Sequence, residues 1–319
     1  MKKIRFAVIG TGYLGSFHAQ KIHKIERSDL IAVVDSQLEK ANLLADQYAC
    51  LALQDYRGLH ALRLDAVVIS TTTPSHYDIA QFFLRAGVHC FIEKPMTLTV
   101  AQADELIALG KRNNALIQVG HIERFNLALG NLLNGSLSPL FIESNRIAPY
   151  HQRGTDVGVI LDLMIHDIDL ILSFFKSDVT EIRASGVSVF TSGKYDIVNA
   201  RLAFRCGGVA NLTASRVGLK RERSMRIFEA EKYTYVNLEA RKYTTYSKPN
   251  EGCNVAGSFI STGEEYSTQD ALYDELNEFM DSISLGSPIR VTGEDGKAAL
   301  AVALHIQKEV HKAYEHTHG

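Results

Sequence analysis

The sequence predicts an α/β protein of two domains, a doubly wound parallel-sheet domain followed by an α+β domain on a large, mostly antiparallel open sheet. Three observations carry this. Through the first 120 residues, short apolar runs alternate with segments of helical spacing, the pattern of parallel strands joined by covering helices. The first of those runs ends abruptly in a glycine-rich turn that opens a helix. Beyond Gly120 the alternation gives way to a succession of strands, and two helices close the chain. The domains are therefore expected at residues 1–120 and 121–319.

The first apolar run, Ile4 to Ile9, stops at Gly10-Thr11-Gly12-Tyr13-Leu14-Gly15, a G-x-G-x-x-G turn. Gly10 permits the tight turn, Gly12 lets a pyrophosphate approach the backbone, and Gly15 lets the helix pack closely on the strand. A second strand, Leu30 to Val34, ends at Asp35. A carboxylate there accepts hydrogen bonds from ribose hydroxyls and repels a 2′-phosphate, and neighbouring Ser36 and Gln37 bring no guanidinium. The expected cofactor is NAD. A helix follows from Gln37 to Tyr48, then a strand from Leu64 to Ser70. Ser75 is the expected N-cap of a helix reaching Ala86 and stopping at Gly87. Val88 to Ile92 reads as a strand, Val100 to Arg112 as a helix and Leu116 to Val119 as a strand. Ligands of such sheets bind beyond the carboxyl ends of the strands, where Gly10, Asp35, Thr71, Glu93 and Gly120 fall.

In the second half, Ile122 to Leu133 reads as a helix, Leu140 to Ile147 as a strand and Val159 to Phe175 as a strongly apolar helix. Six strands are expected from Glu181 to Tyr246, with a hairpin turn at Gly207-Gly208 and a tight connection at Glu231-Lys232. Lys248 to Tyr266 reads as an irregular loop, and helices are expected from Ala271 to Leu285 and from Gly293 to His311. Ile197, Ala200, Leu202 and Phe204, set against Val198, Ala203 and Arg205, suggest strands with apolar residues on both sides, and so a homo-oligomer.

Composition narrows the function classes. At 46% hydrophobic and 22% charged, the 319-residue chain can bury a sizeable core. A net charge of −2 provides no basic field for nucleic acid or an anionic membrane. No apolar run approaches about 18 residues, so no membrane span is expected. The N-terminus passes from MKK directly into a strand and is not read as a signal peptide. Four cysteines without a C-x-x-C pair suit reduced thiols in a cytoplasmic protein.

Two constellations can carry chemistry. In Glu93-Lys94-Pro95, proline disfavours helix at the preceding residue and so holds Lys94 extended at a strand end. A lysine there can hydrogen-bond a substrate hydroxyl and stabilise an alkoxide; the alternative is a solvated Glu-Lys pair. In the apolar helix, Asp162, His166 and Asp169 recur at i, i+4 and i+7 and so fall on one stripe. Buried carboxylates are costly unless paired or facing a polar cavity, so the stripe is expected to line a site. There Asp162 would orient His166 as a general base; the alternative is a core histidine bonded for structure. A metal site lacks an obvious third ligand, and none is expected.

Together, GTGYLG, TPSHYDIA, EKP and the Asp162-x-x-x-His166 helix resemble the Gfo/Idh/MocA family of nicotinamide-dependent sugar oxidoreductases across essentially the whole chain. The resemblance implies an N-terminal Rossmann domain and a C-terminal domain whose open sheet face mediates assembly, as a homodimer or homotetramer. It implies the catalytic trio Lys94, Asp162 and His166. It also implies that Gly10, Thr11, Gly12, Tyr13, Leu14, Asp35, Thr72, Pro74, His76, Glu93 and His121 surround the cofactor. The glycine-rich run usual before the Asp-x-x-x-His helix is reduced here to Gly154 and Gly158. VGHIERFN and LDLMIHDIDL further resemble the subgroup that oxidises the 3-hydroxyl of UDP-N-acetylglucosamine. A sugar nucleotide needs cations for its diphosphate. Arg124, Arg146 and Arg153, along with Lys94, Asp162 and His166, are the expected substrate contacts, with Tyr150 stacking on the uracil; the alternative is that these arginines are surface residues paired with Glu123 and Glu143. Rival readings are a catalytically silent sensor of the same fold and a dehydrogenase or reductase for a free sugar, polyol or other small molecule. Retention of Lys94, Asp162 and His166 together argues against the sensor.

Overall fold

The structure is a computed structural model that describes residues 3–134, 137–150, 158–191, 193–248 and 260–318. Its contacts divide into two units, Met1–Ile122 with Asp270–Leu300 and Glu123–Gln269 with Ala301–Gly319.

The first unit opens with β1 (Ile4–Ile9), α1 (Tyr13–Lys24), β2 (Ser28–Val34), α2 (Leu38–Tyr48) and β3 (Leu51–Leu53). It continues with β4 (Ala66–Ile69), α3 (His76–Arg85), β5 (His89–Glu93), α4 (Val100–Arg112) and β6 (Ile117–Gly120). The strands form one sheet in the order β3-β2-β1-β4-β5-β6, and every adjacent pair is parallel. The central strands are nearly continuous apolar runs because helices cover both faces; all four residues of β4 are 0% exposed. Strand order reverses beside β1, which has β2 on one side and β4 on the other, and this opens a crevice at their carboxyl ends. Helix α4 starts where expected because Thr99 and Gln102 form a capping box. Ser75 does not cap α3. Its hydroxyl bonds the Thr72 carbonyl and Thr71 Oγ1, and a 3₁₀ turn, Thr73–Ser75, leads into the helix instead.

The second unit holds α5 (Leu127–Asn134), β7 (Phe141–Pro149), a π-helical turn (Ile160–Met164), α6 (Ile165–Phe175), β8 (Val179–Val187) and β9 (Ile197–Phe204). Strands β10 (Val209–Gly218), β11 (Glu222–Glu229), β12 (Lys232–Asn237), β13 (Lys242–Ser247) and β14 (Ile260–Glu265) follow. They complete an eight-stranded sheet, β14-β13-β12-β11-β7-β10-β9-β8, antiparallel except where β10 meets β7. Gly207 has φ +88° at the β9–β10 turn, as the hairpin reading requires. Strand β14 corrects part of the expected loop at 248–266. All six of its residues are exposed, so it lacks the apolar alternation by which strands are recognised; residues 249–259 lie outside the described ones.

The pleat also corrects the expected faces of β9. Val198, Ala200, Leu202 and Phe204 share the buried face, while Asn199 and Arg201 are exposed on the other. The aromatic residues of the open face lie elsewhere. Phe141, Phe228, Tyr233 and Tyr246 form a cross-strand row on β7, β11, β12 and β13, with successive ring centroids 5.7, 5.0 and 5.7 Å apart.

Helices α7 (Ala271–Leu285) and α8 (Gly293–His318) end the chain, and the division between the units falls within α8. A boundary at residue 120 leaves α7 in the second domain, but its contacts put it in the first. Leu276, Phe279 and Met280 belong to the core beneath the parallel sheet, and the Phe279 ring lies 6.4 Å from Phe6 and 6.0 Å from Phe91. Lys21 and Arg27 pair with Asp270 and Asp281, tying the helix to the strand–helix layer from its polar side.

Candidate active site

The glycine turn is shaped by what it excludes. Gly10 has φ +93°, and a Cβ there would lie 2.7 Å from the Ser70 backbone. A Cβ on Gly15 would lie 1.8 Å from the Gly10 carbonyl oxygen, so α1 sits against the turn only because that position is glycine. At Gly12 a Cβ would meet nothing within 4 Å. Gly12 is also the N-cap of α1, with no side chain capping it and no acidic residue in the first turn. Backbone N–H groups at the positive end of the helix dipole therefore border open space, which suits a pyrophosphate.

Beside the turn lies a cleft of about 900 Å³ lined by Gly10, Gly12, Asp35 and Thr72 and also by Ser36, Lys40, Gln54, Asp55, Tyr56 and Arg57. Asp35 Oδ2 accepts hydrogen bonds from Thr11 N and Thr11 Oγ1, both at 2.9 Å, and Oδ1 accepts one from Gln37 N at 2.9 Å. Burial alone would raise the Asp35 pKa; these donors outweigh it and hold the carboxyl below its ordinary value. The carboxylate thus fixes the glycine turn and remains charged at the cleft edge. Tyr56 and Arg57 were not anticipated because they open the 3₁₀ segment Tyr56–Leu62 that follows β3, and that segment shows no clear periodicity. Arg57 stacks over the Tyr56 ring at 4.8 Å and pairs with Asp55 at 3.2 Å. The turn, the charged Asp35 and the cleft together fit a dinucleotide.

At the end of β5, Glu93 is 7% exposed and Lys94 partly exposed. His18 Nε2 lies 2.7 Å from Glu93 Oε1, and Lys94 N donates to Glu93 Oε2 at 3.3 Å. Burial pushes the Glu93 pKa up, but His18 and Lys94 outweigh it and keep the carboxyl ionised. The Lys94–Pro95 peptide is cis. His76 is buried, with Nδ1 3.0 Å from the Pro95 carbonyl and Nε2 3.0 Å from the Thr71 carbonyl. Burial lowers its pKa despite those acceptors. Both ring nitrogens thus face backbone carbonyls, which makes His76 a strut between two loops. His121 is 1% exposed, whereas Tyr13 is 79% and Leu14 42% exposed at the start of α1. His18 escaped the sequence reading. The signal was its spacing, three residues after Gly15 on the buried face of α1 with Ala19 and Ile22.

In the second unit, the π turn and α6 sort their polar residues. Asp162 and His166 are partly exposed, while Asp167 and Asp169 are 2% and 1% exposed. Asp169 receives Arg124 Nε at 2.6 Å and Nη2 at 2.9 Å. Asp167 receives Arg146 Nη2 at 2.7 Å and Nε at 3.0 Å, and Arg146 Nη1 reaches Glu123 at 2.9 Å. Burial disfavours a charged guanidinium at Arg146, yet the two carboxylates outweigh it and hold the charge. This geometry corrects two expectations. Asp169 does not share an open stripe with His166, because Arg124 takes its carboxylate. Arg124 and Arg146 are not offered to a diphosphate, because buried carboxylates already engage both. Tyr150 packs edge-on against Phe190 at 5.3 Å. Arg153 and Gly154 lie outside the described residues. No group of three potential metal ligands occurs among the described residues, and no helix there is long and apolar enough to cross a membrane.

A parallel sheet in this strand order, a pyrophosphate turn and an acidic residue ending β2 define a nicotinamide-dinucleotide-binding protein. Residues 4–121 match the GFO/IDH/MocA oxidoreductase family with its NAD-binding Rossmann fold, and residues 118–231 match the GFO/IDH/MocA C-terminal domain. The chain belongs to this family of NAD-dependent oxidoreductases. Over 97% of its length it is 36% identical to the UDP-N-acetylglucosamine 3-dehydrogenase of Acidithiobacillus ferrooxidans, covering 98% of that protein. A solved structure of that enzyme superposes with a TM-score of 0.90, over 97% of this chain and 98% of the other. The chain is also 25% identical to myo-inositol 2-dehydrogenase of Thermotoga maritima, covering 96% of each. Scyllo-inositol dehydrogenase of Lactobacillus casei, solved with NAD(H) and scyllo-inositol, shares the fold at 20% identity and a TM-score of 0.80, over 98% of each chain.

Proposed function

We propose that this enzyme oxidises the 3-hydroxyl of a UDP-linked N-acetylhexosamine to a 3-keto sugar. The observation that carries the reading is the sorting on the π turn and α6: Asp167 and Asp169 are buried against arginines, and Asp162 and His166 stay partly exposed. Bound NAD supplies a two-electron hydride acceptor. Lys94 holds the reacting oxygen and stabilises it as an alkoxide, and His166, oriented by Asp162, takes the hydroxyl proton. Gly10, Thr11 and Gly12 cradle the pyrophosphate, and Asp35 receives the ribose. Tyr13, Leu14, Thr72, Pro74, His76, Glu93 and His121 complete the cofactor's surroundings, His76 from behind the loops it braces. The substrate class is supported by the 36% identity to a UDP-N-acetylglucosamine 3-dehydrogenase. With Arg124 and Arg146 engaged, Arg153 is the proposed diphosphate contact and Tyr150 the proposed uracil contact.

NADH production followed by absorbance tests this, with UDP-N-acetylglucosamine, inositol and glucose as substrates. Turnover of a free sugar with none of the nucleotide sugar refutes the substrate and leaves the dehydrogenase. Lys94→Ala and His166→Ala should each lower kcat by roughly 100-fold or more while NAD affinity holds. Near-wild-type turnover refutes the role of the residue replaced. We also infer a homodimer or homotetramer assembled through the sheet face that bears Phe141, Phe228, Tyr233 and Tyr246. Light scattering that returns only the 35.3 kDa monomer at micromolar concentration refutes that inference.

A further inference from the structure

The turn that presents Lys94 is held on both flanks by buried histidines, and one of them reaches it from the helix that begins at the phosphate cradle. We propose that His18 is a positioning residue for Lys94, fixing Glu93 from α1 and, through Glu93, the backbone of the lysine. The proposal rests on the reading of Lys94 as the group that holds the reacting oxygen.

His18 is 0% exposed and packs edge-on against Phe91 at 5.0 Å, so its ring has little freedom to turn. Its Nε2 lies 2.7 Å from Glu93 Oε1, a residue 75 positions further along the chain. The other carboxylate oxygen accepts the Lys94 N–H at 3.3 Å. A continuous chain of contacts therefore runs from α1 through the Glu93 carboxylate to the Lys94 amide. Gly120 closes the remaining side, because a Cβ there would lie 2.9 Å from Glu93 Oε2. Across the turn, His76 grips the Pro95 carbonyl at 3.0 Å. Lys94 thus sits between two anchored residues. Without His18, Glu93 loses a hydrogen-bond partner in a buried place and has reason to turn elsewhere, which frees the Lys94 amide. His18 is fully buried, so a contact of its own with a substrate is not available to it.

The test uses the full-length enzyme, whichever of the three sugar substrates it turns over, and four variants: His18→Met, His18→Gln, Lys94→Ala and the double His18→Met/Lys94→Ala. His18→Met should lower kcat by about 10- to 100-fold, the scale of a misplaced reacting group, and leave the NAD Kd within about threefold. His18→Gln should recover most of the loss, since its amide nitrogen reaches the place of the imidazole Nε2. Adding His18→Met to Lys94→Ala should cause no further loss. Wild-type kcat in His18→Met, or a full additional loss in the double variant, overturns the proposal. If Lys94→Ala itself keeps wild-type turnover, the reading of Lys94 falls instead.

Should His18→Met not fold, His18→Asn replaces it. The shorter amide falls short of Glu93, so equal activity in the Asn and Gln variants overturns the proposal. A substrate-free readout stands beside these. The Lys94 amide should exchange its hydrogen at least about tenfold faster in His18→Met (or in His18→Asn), with Phe91 unchanged, and an unchanged Lys94 rate overturns the proposal.

Discussion

Gly12 and Gly15 lie three residues apart in one turn, and alanine at each should fail in opposite ways. At Gly12 the backbone has φ −67° and ψ −165°, which alanine adopts without strain, and its methyl would meet no protein atom within 4 Å. Removing glycine's freedom in the unfolded chain should then stabilise the fold by about 0.4–1 kcal/mol. In a domain of this size that raises Tm by roughly 1–4 °C. The same methyl occupies the space into which the helix N-terminus points, so NAD should bind about 10- to 100-fold more weakly, roughly 1.4–2.8 kcal/mol. At Gly15 the methyl would lie 1.8 Å from the Gly10 carbonyl oxygen and 2.7 Å from Ser70 Oγ, far inside contact distance. Helix α1 must back away from the sheet, an overpacking that costs about 1–3 kcal/mol or more. Thermal melts without cofactor and calorimetric titration with NAD separate the two outcomes. Wild-type NAD affinity in Gly12→Ala would refute the placement of the pyrophosphate. A Gly15→Ala protein as stable as wild type would refute the packing argument.

Three further outcomes are expected. Asp35→Asn removes the charge that repels a 2′-phosphate and loosens Thr11, so the ratio of NADP to NAD affinity should rise by about tenfold, measured by titration with both cofactors. An unchanged ratio refutes the role of Asp35. Asp169→Ala leaves Arg124 buried without that partner and should cost about 3–5 kcal/mol in urea unfolding, whereas the paired replacement Arg124→Met/Asp169→Leu should cost much less. Asp35, Glu93 and Glu123 all have folded pKa values below their ordinary ones. Their contribution is complete above about pH 4.5, where the unfolded carboxylates have ionised, and is lost as pH falls through the lower folded values. Urea midpoints recorded between pH 7 and pH 3 should drop at the acid end; a flat profile refutes the depressed values.

Elements whose code is local were legible in the residues alone. The glycine turn, Asp35, the helix from Val100 and the continuous apolar strands each depend on residues within one element or at its end. Their steric and hydrogen-bonding consequences can be read without knowing the fold. Lys94, Asp162 and His166 stood out in the sequence for the same reason, as polar residues at a strand end and on an otherwise apolar helix. Tertiary structure decided which polar residues were consumed. Periodicity puts Asp162, His166 and Asp169 on one stripe, but Arg124, 45 residues from Asp169, closes that carboxylate off, and Arg146 does the same to Asp167 across 21. His18 gained its significance from Glu93, 75 residues on. Helix α7 joined the first unit because its apolar stripe meets Phe6 and Phe91, and β14 pairs with β13 through backbone groups that every residue carries alike. A side chain's type sets what it can bond, but its partner is whichever group the fold brings within about 3 Å, and separation along the chain carries no record of that.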